Sequence, residues 1–323
     1  MRKKTYRALI ILAVVVVVIS VAVAVAVRFQ QHIIDPKVSG TTAVEPSIDS
    51  NYSPEHEDNQ TYTQPTLPEG SSFEIHFFNV GEGDSALVEC DEHYMLIDGG
   101  NPSSSSFLYS YLKQHDIEYL DYVVCSHPHT DHVGGLAGAL NYSTVGIAYS
   151  PVTEFDNRAF NSFVKYLSAQ NKAIVVPASG DTITLGSATV EFVGPLDMTL
   201  AELNMNNSSI ILRIEYGNTS FLFTGDAETD EELSLVASGI ELQSTLLKVG
   251  HHGSYTSSSE AFLSAVAPEY AVISVGKGNE YGHPHDVVLD RLSKYCSVIY
   301  RTDLIGEIVC RSDGSSLTFD FAP

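Results

Sequence analysis

The chain has 323 residues, 44% of them apolar and 10% aromatic, enough to bury a large core in one main domain. Its 17 Lys and Arg face 40 Asp and Glu, and five of the bases (Arg2, Lys3, Lys4, Arg7 and Arg28) fall in residues 1–28, leaving 12 against 40 acids in the rest. That balance excludes a long cationic footprint on duplex nucleic acid or on membrane phosphates.

The first four of those bases precede an apolar run at 8–27, broken only by Ser20, which at helical rise spans about 30 Å of hydrocarbon. With no polar face, the run reads as a membrane segment rather than a buried soluble helix. The bases ahead of it predict a cytoplasmic amino terminus and an extracellular body. Small-x-small steps at Ala22-Val23-Ala24 and Ala24-Val25-Ala26 keep a cleaved secretory signal as the alternative; the length of the run favours a retained anchor. Residues 1–28 are therefore an anchor or signal segment. Residues 29–71, rich in Pro, Ser, Thr, Asp, Glu and Asn, are expected to be a flexible linker in which His32 and His56 are solvated. The folded domain is expected at 72–323.

Short strands are expected at 73–80, 86–90 and 93–97, joined by Gly81-Glu82-Gly83-Asp84-Ser85 and an Asp91-Glu92 turn. The first joint is expected to line a site through Asp84, with a purely structural turn as the rival reading. His76 and His93 read as surface or hydrogen-bonded histidines. Asp98 ends the third strand before two glycines, where an acid can orient a ligand histidine from behind. A helix at 104–115 and a β-branched strand at 120–125 follow. Directly after that strand comes Ser126-His127-Pro128-His129-Thr130-Asp131-His132, three imidazoles and a carboxylate within six residues. Pro128 stops the strand ladder, and Gly134-Gly135 turns the chain into a following helix. His127 and His129 can reach one metal, while Asp131 and His132 reach a second beside it; imidazole with carboxylate suits zinc, manganese or iron.

Downstream, strands are expected at 145–149, 173–177, 182–185 and 189–194, with a helix at 157–169. A hairpin at 210–216 and 220–223 then leads into Thr224-Gly225-Asp226. Asp226 can bridge two cations about 3.5–4 Å apart, or cap the helix expected at 228–236. Strands at 246–249 and 270–275 end in His251-His252-Gly253 and in Tyr281-Gly282-His283-Pro284-His285. His251 and His283 are the expected ligands of these pairs. His252 is expected to contact substrate, and His285 to orient ligands from behind. Asn206 or Asn207 binds water or substrate, or caps the loop. Lys248, Lys277 and Arg301 form a small anion-binding patch, or are ordinary surface charges. A helix at 286–296 and strands at 298–300, 308–311 and 317–321 close the chain. Alternation of strands with helices argues for an α/β (α+β) chain in four layers, an αββα sandwich. Of the four cysteines, Cys90 and Cys125 read as packed thiols, while a Cys296–Cys310 disulfide is left open.

The histidine cluster resembles the signature of the metallo-β-lactamase-fold hydrolases. Taken with Phe78-Asn79-Val80-Gly81-Glu82-Gly83-Asp84-Ser85, Ile97-Asp98-Gly99-Gly100, Thr224-Gly225-Asp226, Leu247-Lys248-Val249-Gly250-His251-His252-Gly253-Ser254 and Tyr281-Gly282-His283-Pro284-His285, residues from about 72 onward resemble the hydrolase domain of the ComEC-type DNA-uptake proteins. The chain departs from that pattern at Asn79, where the family usually has Asp. It also lacks the metal-binding His that many superfamily members place before the strand at 210–216. The resemblance implies two divalent ions, zinc or manganese, held by His127, His129, Asp131, His132, Asp226, His251 and His283. Asn207, Lys248, His252 and Lys277 would contact substrate, with Asp84, Asp98 and His285 behind the ligands. It also implies hydrolysis of a phosphodiester, DNA or a nucleotide, by hydroxide generated on the metal, with Asp131 doubling as proton acceptor. A single spanning segment does not make a DNA channel. Lactone, β-lactam or ester hydrolysis, and a non-catalytic metal-binding surface module, are the alternatives. No protein partner is inferable.

Overall fold

The structure, a computed structural model, describes residues 66–322. Among these no helix is long and apolar enough to cross a membrane. The expected span at 8–27, with most of the linker, lies outside the described residues.

Fifteen strands appear in chain order: β1 Phe73–Phe77, β2 Ala86–Cys90, β3 His93–Ile97, β4 Tyr119–Val124, β5 Thr144–Tyr149, β6 Ile174–Val175, β7 Thr182–Leu185, β8 Ala188–Gly194, β9 Ile211–Tyr216, β10 Thr219–Phe223, β11 Leu246–Lys248, β12 Tyr270–Ile273, β13 Val298–Arg301, β14 Glu307–Ser312 and β15 Leu317–Ala322. The helices are α1 Ser105–Gln114, α2 Thr130–Val133, α3 Leu136–Tyr142, α4 Arg158–Ala169, α5 Thr199–Leu203, α6 Thr229–Ser238, α7 Glu260–Val266, α8 Asp286–Tyr295 and α9 Thr302–Ile305. One sheet runs β15-β14-β1-β2-β3-β4-β5-β6 and the other β13-β12-β11-β10-β9-β8-β7.

Period-two alternation explains how the layers stack. Phe73, Ile75 and Phe77 of β1, Ala86 and Val88 of β2, Leu212 and Ile214 of β9 and Phe221 and Phe223 of β10 share one buried cluster between the sheets. The intervening Leu87, with Leu96 and Val123, points the other way onto Leu108, Leu140, Phe160 and Phe163 of α1, α3 and α4. Leu222, Leu247 and Ala271 of the second sheet meet Leu235, Phe262 and Leu292 of α6, α7 and α8. Each sheet is thus apolar on both faces, which requires helices outside and gives the expected αββα order.

Several boundaries differ. The first strand stops at Phe77, because Phe78 N donates to Ser85 O (3.0 Å) as the chain turns away. The strand expected at 173–177 keeps only two paired residues. Leu67, placed in the linker by composition, packs against the cluster between the sheets. The disulfide left open is absent: Cys296 lies in the layer outside the second sheet and Cys310 between the sheets, so the two cannot meet. Burial pushes these thiols up, to about 11 and about 12.

β3–β4–β5 and β10–β11–β12 are parallel runs. Their carboxyl ends carry Asp98, the histidine loop, Asp226, the His251-His252 turn and the loop to His283, so one edge of the sandwich collects every histidine motif. Crevices outside the carboxyl ends of parallel strands are where α/β sheets bind ligands.

Candidate metal centre

Asp98 is the hub of the first loop. It is buried, and its carboxylate accepts from Ser126 N (2.7 Å), Ser126 Oγ (2.6 Å) and His132 Nδ1 (2.9 Å). Because His132 Nδ1 donates there, its Nε2 lone pair turns to Asp226 Oδ1, 3.2 Å away. His252 behaves alike: Nδ1 donates to Ser274 O (3.1 Å), and Nε2 faces Asp131 Oδ2 (3.5 Å) and Asp226 Oδ1 (3.7 Å). One donor atom each of Asp131, His132, Asp226 and His252 lies within 4.8 Å of the others. The second oxygen of Asp226 looks the other way, 3.7 Å from His127 Nε2 and 3.8 Å from His251 Nε2, with His129 Nδ1 3.0 Å from His127 Nε2.

These residues fit a divalent cation. His132 Nε2, Asp226 Oδ1 and His252 Nε2 are buried without a hydrogen-bond partner among the described residues, a costly condition unless a ligand fills it. Two imidazoles with two carboxylates form a donor set that suits zinc, manganese or iron. The electrostatics agree. Burial disfavours the His132 imidazolium, but Asp226 and Asp98 outweigh it and hold its pKa well above the ordinary range. His252 is likewise pushed up, to about 10, because Asp226, Asp131 and Asp84 overcome desolvation. Protons there neutralise an acid cluster that a cation would otherwise neutralise. His127, buried beside His132, is pushed well down. Burial would raise Asp131, but the His252 hydrogen bond and the His132 charge hold it below the usual carboxylate range.

Three sequence expectations change. His252, expected at the substrate, is in the metal-capable group, while His251 faces the other oxygen of Asp226 (3.8 Å) and contacts Thr256 Oγ1 (3.2 Å) and Glu228 Oε1 (3.4 Å). In that turn His251 and His252 both adopt left-handed backbone, φ 49° and 52°. Lys248, expected on an anion patch, is buried and donates to Asp84 Oδ2 (2.7 Å) and Val249 O (3.1 Å); Arg301 is paired with Asp303, which leaves Lys277 exposed and outside the cleft lining. Asn207, expected at the substrate, accepts from Glu228 N (2.9 Å) and so holds the turn into α6.

Asp84 stands behind His252, with Oδ1 3.2 Å from its Nδ1. It also approaches Asp98 and His132, but the Lys248 ammonium already supplies its cation. His283 lies outside the metal-capable group, its Nδ1 donating to Glu82 Oε1 (2.9 Å). His285 stands apart, with Nδ1 accepting from Tyr255 N (3.2 Å). The residues missed were Glu82, Glu228 and Asn157. Asn157 Nδ2 donates to Pro128 O and Thr130 Oγ1, both at 3.1 Å, and so braces the histidine loop. Only Glu82 carried a signal, its place between the two glycines of the first turn. A cleft of ≈ 360 Å³ opens over the centre, lined by Glu82, His129, Thr130, Asp131, Asn157, Asn206, Asp226, His251, His252, Tyr281 and His283.

A two-sheet sandwich with imidazoles and carboxylates gathered at one edge defines a metal-dependent hydrolase fold. Residues 78–277 match the family profile of the metallo-beta-lactamase superfamily, and the chain belongs to that superfamily. It is 30% identical over 271 residues to ComE operon protein 3 of Bacillus subtilis, covering 78% of this chain and 35% of that protein. To competence protein ComA of Neisseria gonorrhoeae it is 32% identical over 250 residues, covering 77% and 33%. The chain thus spans about a third of the length of these competence relatives. Among solved structures, the metallo-beta-lactamase fold protein YhfI from Bacillus subtilis superposes with TM-score 0.50 at 14% identity, over 74% of this chain and all of that one.

Proposed function

We propose that the chain is a membrane-anchored, exported hydrolase that cleaves phosphodiesters, DNA or a nucleotide, with two divalent cations, zinc or manganese. The observation that carries this reading is Asp226, whose two buried oxygens face two different sets of histidines across one cleft. When bound, the cations supply an activated water and neutralise phosphoryl charge. His132, His252, Asp131 and Asp226 would hold one of them, and His127, His129, His251 and Asp226 the other. Asp98 fixes the tautomer of His132 and Ser274 that of His252, so both present Nε2 lone pairs. Glu82 holds His283 with its Nε2 toward the cleft, where it can contact a phosphoryl oxygen. Asn206 is fastened to Glu228 through Nδ2 (3.1 Å) and keeps its Oδ1 for a substrate hydroxyl. The anchor rests on the basic-then-apolar order of residues 2–27, and the substrate class on the competence relatives.

The test is metal analysis of the purified chain followed by turnover of bis-p-nitrophenyl phosphate and of a chromogenic β-lactam. Diester hydrolysis that stops with chelator and returns with zinc or manganese is expected. Turnover of the lactam alone would replace this reading with an acyl hydrolase, and metal-loaded protein inert on both and on single-stranded DNA would make the chain a binding module.

A further inference from the structure

Tyr281 lines the cleft and is 69% exposed, an unusual situation for a large aromatic ring held in a fixed loop. The loop owes nothing to that ring. Asn279 fastens it, its Oδ1 accepting from Tyr281 N (3.1 Å) and His283 N (2.9 Å) and its Nδ2 donating to Gly276 O (3.0 Å) and His283 O (2.7 Å). The phenol ring lies nearly parallel to the His283 imidazole, 18° between planes and 5.5 Å between centroids, and Glu82 in turn holds that imidazole. A tier of two flat rings therefore stands at the cleft with its outer surface in solvent.

Charge sharpens the point. With Lys248 buried on Asp84 and Arg301 on Asp303, the cleft has no lysine or arginine in its lining. Beyond the metals themselves, a substrate meets no cationic side chain here, which leaves its faces to be gripped. We infer that Tyr281 is a nucleobase platform, which makes the substrate a base-bearing single strand or nucleotide rather than a duplex or a simple phosphodiester; this rests on the phosphodiesterase reading above. Bases in a duplex are already stacked on one another, whereas an unpaired base offers a free π-face worth about 1–3 kcal/mol on an aromatic side chain. The cleft volume of ≈ 360 Å³ also falls within the range for small-ligand sites, about 300–1,000 Å³.

The experiment compares a single-stranded thymidine oligonucleotide with an equal-length strand carrying abasic tetrahydrofuran residues, using the full chain loaded with Mn²⁺. Cleavage is followed for KM and fluorescence anisotropy for binding. The base-bearing strand is expected to show a KM lower by about 5- to 150-fold. Tyr281→Ala should raise its KM to that of the abasic strand, and Tyr281→Phe should keep the preference. Equal KM and equal binding for both strands in the wild type, or a preference that survives in Tyr281→Ala, overturns the inference. Base-dependent binding without cleavage of either strand leaves Tyr281 as the platform and removes the phosphodiesterase reading instead.

Discussion

Asp98 gives its two oxygens to three donors and in return fixes the tautomer of His132. Asp98→Ala is expected to weaken metal binding about 10- to 100-fold, the usual cost of losing a group that orients a ligand. Competition with a chromogenic chelator measures it, and unchanged affinity would mean that His132 is not a ligand. Lys248 and Asp84 form a buried pair, and breaking such a pair leaves one charge unmatched. Lys248→Met should therefore destabilise the fold by about 3–5 kcal/mol in denaturant melts, with Lys248→Met/Asp84→Leu recovering most of the loss. The pair also has a pH signature. Burial would raise the Asp84 pKa, but the Lys248 ammonium and His252 bring it down to about 2. A depressed carboxyl stabilises the fold above its unfolded value, near 4, and that contribution fades as pH falls from about 4 towards 2. The stability gap between wild type and Asp84→Asn should narrow over that window; a constant gap would show that Asp84 is not ionised in the fold.

At the level of elements, the turn after β1 lies directly against the histidine loop: Asp84 N donates to Asp131 O (3.2 Å), and a Cβ on Gly83 would sit 2.3 Å from that same oxygen. Gly83 also has φ +133°, outside what side-chain-bearing residues adopt. Gly83→Ala should cost at least about 1–3 kcal/mol and lower metal occupancy, because the turn must lift away from Asp131; thermal melts with metal analysis decide it. Strands and strand-end loops were legible in the sequence because alternation in β1, β2, β9 and β10 and the glycines after each strand are local signals. What could not be read was partnership across the chain. Lys248 looks like an exposed base until Asp84, 164 residues earlier, is brought beneath it, and nothing near His283 in the sequence announces that Glu82, 201 residues earlier, takes its Nδ1. His251 and His252 are neighbours in sequence, and only their distant partners, Ser274 and Asp131 for His252 and Thr256 and Glu228 for His251, separate the two imidazoles.

Across the whole molecule, the acidic balance and the apparent ligand class pull in opposite directions. With 12 bases against 40 acids beyond residue 28, a nucleic-acid substrate, if that is what the chain takes, is expected to meet it at only one or two phosphates at the centre. The expected dependence of log affinity on log salt is shallow, on the order of −1 to −2, and divalent cation should matter more than monovalent salt. Anisotropy titration of a single strand from low to moderate salt measures the slope. A value steeper than about −4 would require a basic track somewhere in the chain.

The consecutive left-handed residues His251 and His252 place uncomfortable backbone where two imidazoles are wanted, and glycine would rest there more easily. A selection for heat resistance alone would be drawn to this turn. In metal-free protein, His251→Gly should raise the melting temperature by about 2–4 °C per kcal/mol of strain relieved, while stripping an imidazole from Asp226. Stabilised variants recovered without an activity screen would therefore carry their gain at the cleft, and durability would rise as hydrolytic capacity fell.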